Sequence, residues 1–270
     1  LVLADKKKGL KILETRPFTN SLGVFYATMT NFLGFKSMDE FKVMGLAPYG
    51  KPNVDLSFFC KPTNDGYFSD PSYFRSNKDA SHLEAYYSDK LIDKIGLPRR
   101  INQELSSFYL DVAASTQNTL ETCAISLVKY LYKLTNQKKL CISGGVGLNC
   151  SMNKKLSELN FIEDIFVQPA SSDRGLSLGC AMYAANINGE KIDKIDHVFY
   201  GPKYDNNFIE KQIKISNLDY KKTDNPEKLA AKKLAELSPD VWLAEREEAI
   251  DGTNDDTEVT PSDTAKESVP

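Results

Sequence analysis

Two short stretches carry the residue types from which a nucleotide site can be built. The first is Ser143-Gly144-Gly145-Val146-Gly147-Leu148-Asn149, which follows the apolar run Leu140-Cys141-Ile142. A glycine pair at the end of a buried strand lets a phosphate or ribose approach the backbone with no Cβ in the way. The helix that follows offers free N–H groups and the positive end of its dipole to an anion. The stretch lacks the Gly-Lys-Ser/Thr ending of a P-loop and the spacing of the dinucleotide fingerprint. The plain alternative is a tight strand-to-helix turn that needs a positive φ. The second stretch is the loop Gln168-Pro169-Ala170-Ser171-Ser172-Asp173-Arg174-Gly175, after Ile165-Phe166-Val167. A carboxylate such as Asp173 at a strand end can hold a divalent metal or fix a catalytic group. It can equally cap the helix beginning near Arg174.

Other chemistry-bearing residues are more scattered. Lys42, Tyr49 and Lys51 flank the loop Ala47-Pro48-Tyr49-Gly50-Lys51-Pro52 and have the chemistry to touch an anion, or to be ordinary surface residues. Asp65 and Asp70 have the chemistry of a general base, but turn roles suit both better. His82 and His197, the two histidines, sit beside Ser81 and Asp196 and read as solvated or capping residues. Five widely spaced cysteines with no Cys-x-x-Cys suggest reduced, mostly buried thiols rather than a disulfide scaffold or a cysteine zinc site.

The elements that must position these groups can be read from periodicity. Leu1 to Leu3 and Leu10 to Leu13 predict a hairpin around a polar turn. Asn20-Ser21 reads as the N-cap of a helix whose apolar face is Leu22, Phe25, Tyr26, Met29, Phe32 and Leu33, stopped at Gly34. A short helix over Met38 to Leu46 runs into the proline-glycine loop. The pattern from Asn53 to Arg100 is weak, apart from a hairpin turn at Asp65-Gly66. No Gly or Pro occurs from Arg99 to Ser143, and Ala113, Leu120, Cys123, Leu127, Leu131 and Leu134 share one helical face. A long helix over about Gln103 to Thr135 follows. Strand 140–142, helix 149–159, strand 165–167 and a helix over 176–185 then form an α/β layer whose two strand-end loops should meet at one sheet edge. The small residues Gly179, Ala181, Ala184 and Ala185 predict close packing of that last helix. Further helices are expected over 208–215 and 226–237.

The 270 residues carry a net charge of −3, which gives no support to a nucleic-acid partner. No apolar run approaches the roughly 20 residues of a membrane helix. No signal peptide is visible, and the expected location is cytoplasmic. From Ala244 to Pro270 nine acids face two bases, a local −7 that leaves +4 on the other 243 residues. That stretch has no aromatic residue and is expected to be a disordered acidic tail.

Three motifs in order carry a resemblance. Ser21-Leu22-Gly23-x-x-Tyr26 with Lys42-Val43-Met44-Gly45-Leu46-Ala47-Pro48-Tyr49-Gly50, then Ser143-Gly144-Gly145-Val146-x-x-Asn149, then Pro169-x-x-x-Asp173-x-Gly175, resemble the O-carbamoyltransferases of antibiotic and nodulation-factor biosynthesis. The likeness spans roughly Leu1 to Leu237. The last two motifs are shared with the wider actin-like ATPase superfamily, including threonylcarbamoyl-transfer enzymes. The resemblance implies an actin-like (RNase H-like) domain over 1–200, the start of a YrdC-like domain over 201–243, and a tail over 244–270. It implies an ATP-dependent enzyme that moves a carbamoyl group from carbamoyl phosphate, through carbamoyl-adenylate, to a hydroxyl of a small-molecule or glycan acceptor. Gly144, Gly145, Val146 and Asn149 would then lie around the nucleotide. Asp173 would be one ligand of a divalent metal, iron by the same likeness. Acceptor contacts are expected from variable loops, with 53–100 as the candidate region.

The chain departs from the family pattern at both ends. It has no His-x-x-x-His pair upstream, and beyond Trp242 the acidic tail stands where the family has Glu-x-Gly-Pro-Arg-Ala-Leu-Gly. These departures predict a fragment, or an altered reading frame, with both ends of the enzyme missing. A non-catalytic actin-like nucleotide-binding module, or an inactive remnant, is the alternative function.

Overall fold

The structure is a computed structural model that describes residues 1–5, 8–76, 85–192, 195 and 201–237. His82, His197 and the acidic tail of the sequence reading lie outside the described residues. The chain divides into two compact units, 1–198 and 199–270.

The first unit opens with the expected hairpin, β1 (Val2–Asp5) antiparallel to β2 (Gly9–Ile12). Helix α1 (Leu22–Phe32) follows, with Ser21 at its N-cap accepting from the Gly23 N–H. Gly34 closes it in a left-handed turn at φ +76°. Helix α2 (Glu40–Leu46) runs directly into a 3-10 turn, Ala47–Tyr49, so half of the stretch expected to be loop is helical. Pro48 lies in the first turn of that 3-10 segment, where its missing N–H costs nothing.

The region that carried little sequence signal holds two hairpins and a helix. Strands β3 (Cys60–Thr63) and β4 (Gly66–Ser69) pair antiparallel. The two turn residues are Asn64 and Asp65, and Gly66 is the first residue of β4. Strands β5 (Phe74–Ser76) and β6 (Ala85–Tyr87) pair antiparallel, and α3 (Asp89–Ile95) follows. Strands of three residues carry too few alternations to show a period.

Helix α4 (Ser107–Thr135) is the spine. It starts four residues later than the periodicity suggests, with Ser106 in N-cap geometry. It packs against α1, α2, β3 and β4. The core between them is built from Phe25, Met29, Phe32, Phe59, Val112 and Leu120, all essentially excluded from water. Phe25 and Phe59 meet edge to face with centroids 5.0 Å apart. Burial of each such side chain contributes about 1.5–3 kcal/mol. Cys60 and Cys123 lie side by side in this core, Sγ to Sγ 3.6 Å. Leu134, which the period places on the buried face, is half exposed because the core ends before it.

Strands β7 (Lys139–Ile142) and β8 (Asp164–Val167) pair parallel in the register Leu140↔Ile165, with α5 (Cys150–Ser157) crossing between them. Leu140, Ile142 and Ile165 pack on the core, while Cys141 and Phe166 are exposed. Helix α6 (Leu176–Ile187) corrects one expectation. None of its residues is buried, and a Cβ added to Gly179 would meet nothing within 4 Å. Its small residues therefore do not serve close packing within the described residues. Among these no helix is long and apolar enough to cross a membrane.

The second unit contains α7 (Asn206–Ile215), capped by Asp205 accepting from the Phe208 N–H, and α8 (Pro226–Leu237).

Candidate functional site

The two strand-end loops of the sequence reading do meet. Gly144 has φ +92° and N-caps a 3-10 turn, Gly145–Leu148, that leads into α5. The positive φ is the backbone geometry that a non-glycine residue adopts only at a cost. At Gly147 the constraint is space instead. A Cβ there would lie 3.1 Å from both Cβ and Oγ of Ser171 in the second loop. The glycine turn and the 168–175 loop are therefore in van der Waals contact through Gly147 and Ser171. Cβ atoms built on Gly144 and Gly145 meet nothing within 4 Å, so the backbone of this pair faces open space.

Asp173 opens a 3-10 turn, Asp173–Gly175, and is exposed. It does not cap α6, whose N-cap is Gly175 with no side-chain acceptor. Its carboxylate has no hydrogen-bond or ion-pair partner among the described residues. Nor is it part of a metal cluster, since among the described residues no three His, Cys, Asp or Glu side chains are placed to hold an ion. One carboxylate is too few donors for a divalent cation, so the described residues alone do not fit the implied metal.

Beneath the glycine turn lies a buried polar network that the sequence reading missed. Asn149 is the N-cap of α5, and its Oδ1 accepts from the Met152 N–H at 2.9 Å. The same Oδ1 accepts from Gln117 Nε2 at 3.0 Å, and Asn149 Nδ2 donates to Gln117 Oε1 at 2.9 Å. Tyr26 Oη donates to Gln117 Oε1 at 2.8 Å. Gln117 Nε2 also donates to Glu121 Oε1 at 2.7 Å, and Lys155 is ion-paired with the other oxygen of that carboxylate. Burial pushes the Tyr26 hydroxyl far above its ordinary pKa, and the Glu121 charge adds to the effect. It stays a proton donor at all ordinary pH. A complete network of this kind fixes one arrangement of α1, α4 and α5, because any unpaired member would be a buried polar group without a partner. Gln117 and Glu121 show no distinguishing pattern in the sequence. They stand one turn apart on α4 and become legible only when α1 and α5 close over them.

A cleft of about 430 Å³ opens beside this network, lined by Met44 and Pro48 on one side, Lys154 and Lys155 on another, with Gln117 and Glu121 at its polar end. The proline-glycine loop forms its wall and is clamped to α4. Asp111 Oδ1 accepts from the Lys51 N–H at 2.7 Å, Asp111 Oδ2 accepts from Asn53 Nδ2 at 3.0 Å, and Ser115 Oγ accepts from the Val54 N–H at 3.0 Å. Gly50 lies directly on the Leu110 carbonyl, where a Cβ would fall 2.0 Å from its oxygen. Lys42 is paired with Asp39 at 3.0 Å and Tyr49 is exposed. Asp65 and Asp70 take the turn roles: Asp65 accepts from Thr63 Oγ1 at 2.7 Å, and Asp70 caps a 3-10 turn by accepting from the Ser72 N–H at 2.9 Å.

Comparison with known proteins gives this arrangement a family. The family model described as Carbamoyltransferase N-terminus matches residues 2–182. Nodulation protein NolNO of Sinorhizobium fredii is 30 % identical over 251 residues, 88 % of this chain and 34 % of the relative. Nodulation protein NolO of Bradyrhizobium diazoefficiens is 32 % identical over 248 residues, 87 % of this chain and 42 % of the relative. A 3'-hydroxymethylcephem-O-carbamoyltransferase of Streptomyces clavuligerus is 29 % identical over 146 residues, 54 % of this chain and 25 % of that enzyme. The chain thus spans less than half the length of these relatives. With the motif residues standing on one connected set of elements and the family match running across all of them, the chain belongs to the carbamoyltransferase family, in the part described as its N-terminus.

Proposed function

We propose that this chain contributes the nucleotide-binding and transfer part of an ATP-dependent O-carbamoyltransferase, with an actin-like (RNase H-like) fold over 1–200 and the start of a YrdC-like domain after it. The reaction is transfer of a carbamoyl group from carbamoyl phosphate, through carbamoyl-adenylate, to a hydroxyl of a small-molecule or glycan acceptor. Carbamoyl phosphate, ATP and water give carbamoyl-adenylate with release of phosphate and pyrophosphate; the acceptor oxygen then bonds to the carbamoyl carbon and gives its proton to solvent, the bond from that carbon to the AMP oxygen breaks, and AMP leaves. The setting is the cytoplasm, where ATP and carbamoyl phosphate are made.

The observation that carries this reading is the contact between Gly147 and Ser171, which joins the two motif loops. In it Gly144, Gly145 and Val146 lie along the nucleotide phosphates, and their open backbone lets an anion approach closely. Asn149 closes the turn from below. Asp173 stands free at the rim, and its charge would repel a phosphate unless a cation lay between them. The implied metal, iron, would take Asp173 as one ligand. Further ligands are lacking among the described residues.

A second reading, a non-catalytic nucleotide-binding module, is favoured by that same lack of a three-ligand cluster. Titrating ATP into the protein with and without Fe²⁺ separates the two. Metal-dependent tightening supports the transferase. ATP binding that is indifferent to Fe²⁺ assigns the module. No binding at millimolar ATP overturns both.

A further inference from the structure

A second cleft, about 650 Å³, is larger than the one beside Glu121. It lies between the end of α1, strand β6 and the segment after α3, and shares no residue with the glycine turn or the network. Three cations line it, Lys36, Arg99 and Arg100, and no carboxylate does. In a chain of net charge −3 this is a local concentration of positive charge in a concave surface.

The cations are of two kinds. Arg99 is built in: its Nε donates to the Leu33 carbonyl at 2.7 Å, its Nη1 donates to the Gln103 carbonyl at 2.5 Å, and its guanidinium lies over the Phe35 ring at 5.0 Å. Lys36 and Arg100 are exposed, and neither side chain has an ion-pair partner among the described residues. Between them the Asn31 carboxamide and the Ser37 hydroxyl also line the cleft without a side-chain hydrogen bond among the described residues. The rest of the wall includes the ring of Tyr87, itself fixed by edge contact with Phe32 at 5.6 Å.

We propose that this cleft is a binding site for an anionic sugar, a phosphorylated or carboxylated pyranose. Each part of the wall matches a part of that ligand. An aromatic wall takes the C–H face of a sugar ring. The free amide and hydroxyl offer donors and acceptors to ring hydroxyls. The guanidinium and ammonium groups take the anion through charge-assisted hydrogen bonds. The volume suits a ligand of one or two rings.

The site is tested by calorimetric titration of the whole chain with glucose 6-phosphate and glucuronate, with glucose and inorganic phosphate as controls. The expected result is that both anionic sugars bind, glucose does not, and inorganic phosphate binds at least about tenfold more weakly. The double substitution Lys36→Glu, Arg100→Glu should weaken the anionic sugars at least about tenfold while leaving the melting temperature in place, since both side chains are exposed. Absence of binding at millimolar concentrations, binding that survives the charge reversal, or phosphate binding as tightly as the sugar phosphate would overturn the proposal. ATP binding measured on the same preparation reports on the glycine turn separately, so loss of either reading leaves the other standing.

Discussion

The side-chain amides of Gln117 and Asn149 are joined twice, Asn149 Nδ2 donating to Gln117 Oε1 at 2.9 Å and Gln117 Nε2 donating to Asn149 Oδ1 at 3.0 Å. This pair ties the spine helix to the first residue after the glycine turn. It also explains why Asn149 can cap α5 and still be buried: each polar atom of its side chain has a partner.

Replacing Gln117 by Leu removes the partner of Asn149 Nδ2 and of the Tyr26 hydroxyl at once. Each group left unpaired in a buried place costs about 1–3 kcal/mol. Urea unfolding should show the midpoint falling accordingly with the slope unchanged. An unaltered midpoint would mean that water replaces the amide without loss.

Gly144 and Gly145 should respond differently to a side chain. Gly144 sits at φ +92°, so Gly144→Val strains the backbone and lowers stability by about 1–3 kcal/mol. Gly145→Val has no such strain and open space at its Cβ, so stability should change by no more than about 0.5 kcal/mol. If ATP lies along this backbone, Gly145→Val still loses at least about tenfold in ATP affinity. Thermal melts and ATP titration of both variants check the two effects.

The clamp at Asp111 gives stability a pH dependence. Hydrogen bonds from the Lys51 N–H, then the Asn53 amide, hold its carboxyl below the ordinary pKa. A group depressed in the folded state stabilises above its unfolded pKa, about 3.9 for Asp, and that contribution is lost as pH falls through the folded value. Melting temperatures of wild type and Asp111→Asn should therefore differ most near neutral pH and converge as the pH falls through the depressed folded value. Parallel curves would show that the carboxylate charge is not what holds the loop.

Thiol reactivity should split into two classes. Cys60 and Cys123 are buried against each other, and the hydrogen bond they share, with burial, pushes the Cys60 thiol far above its usual range. Cys141, Cys150 and Cys180 are exposed. Iodoacetamide at mildly alkaline pH should add three adducts to the native chain and five after unfolding, read by mass spectrometry. Fast labelling of Cys60 in the native state would contradict the packing of β3 on α4.

Local order was written into the sequence where the signal is local. Ser21 before an apolar 3.6-residue period, the uninterrupted stretch that became α4, and two three-residue apolar runs each followed by a polar turn all specify their own conformation over a few neighbouring residues. The tertiary structure decided what depends on residues far apart in the chain. Only packing shows that Gln117 and Glu121, unremarkable on a long helix, complete a network with Tyr26 and Asn149. Only packing shows that Asp111 holds the 50–54 loop, and that α6 keeps its small residues in the open. A hydrogen bond between residues thirty or ninety positions apart leaves no period and no spacing to read, because its geometry exists only after the chain has folded.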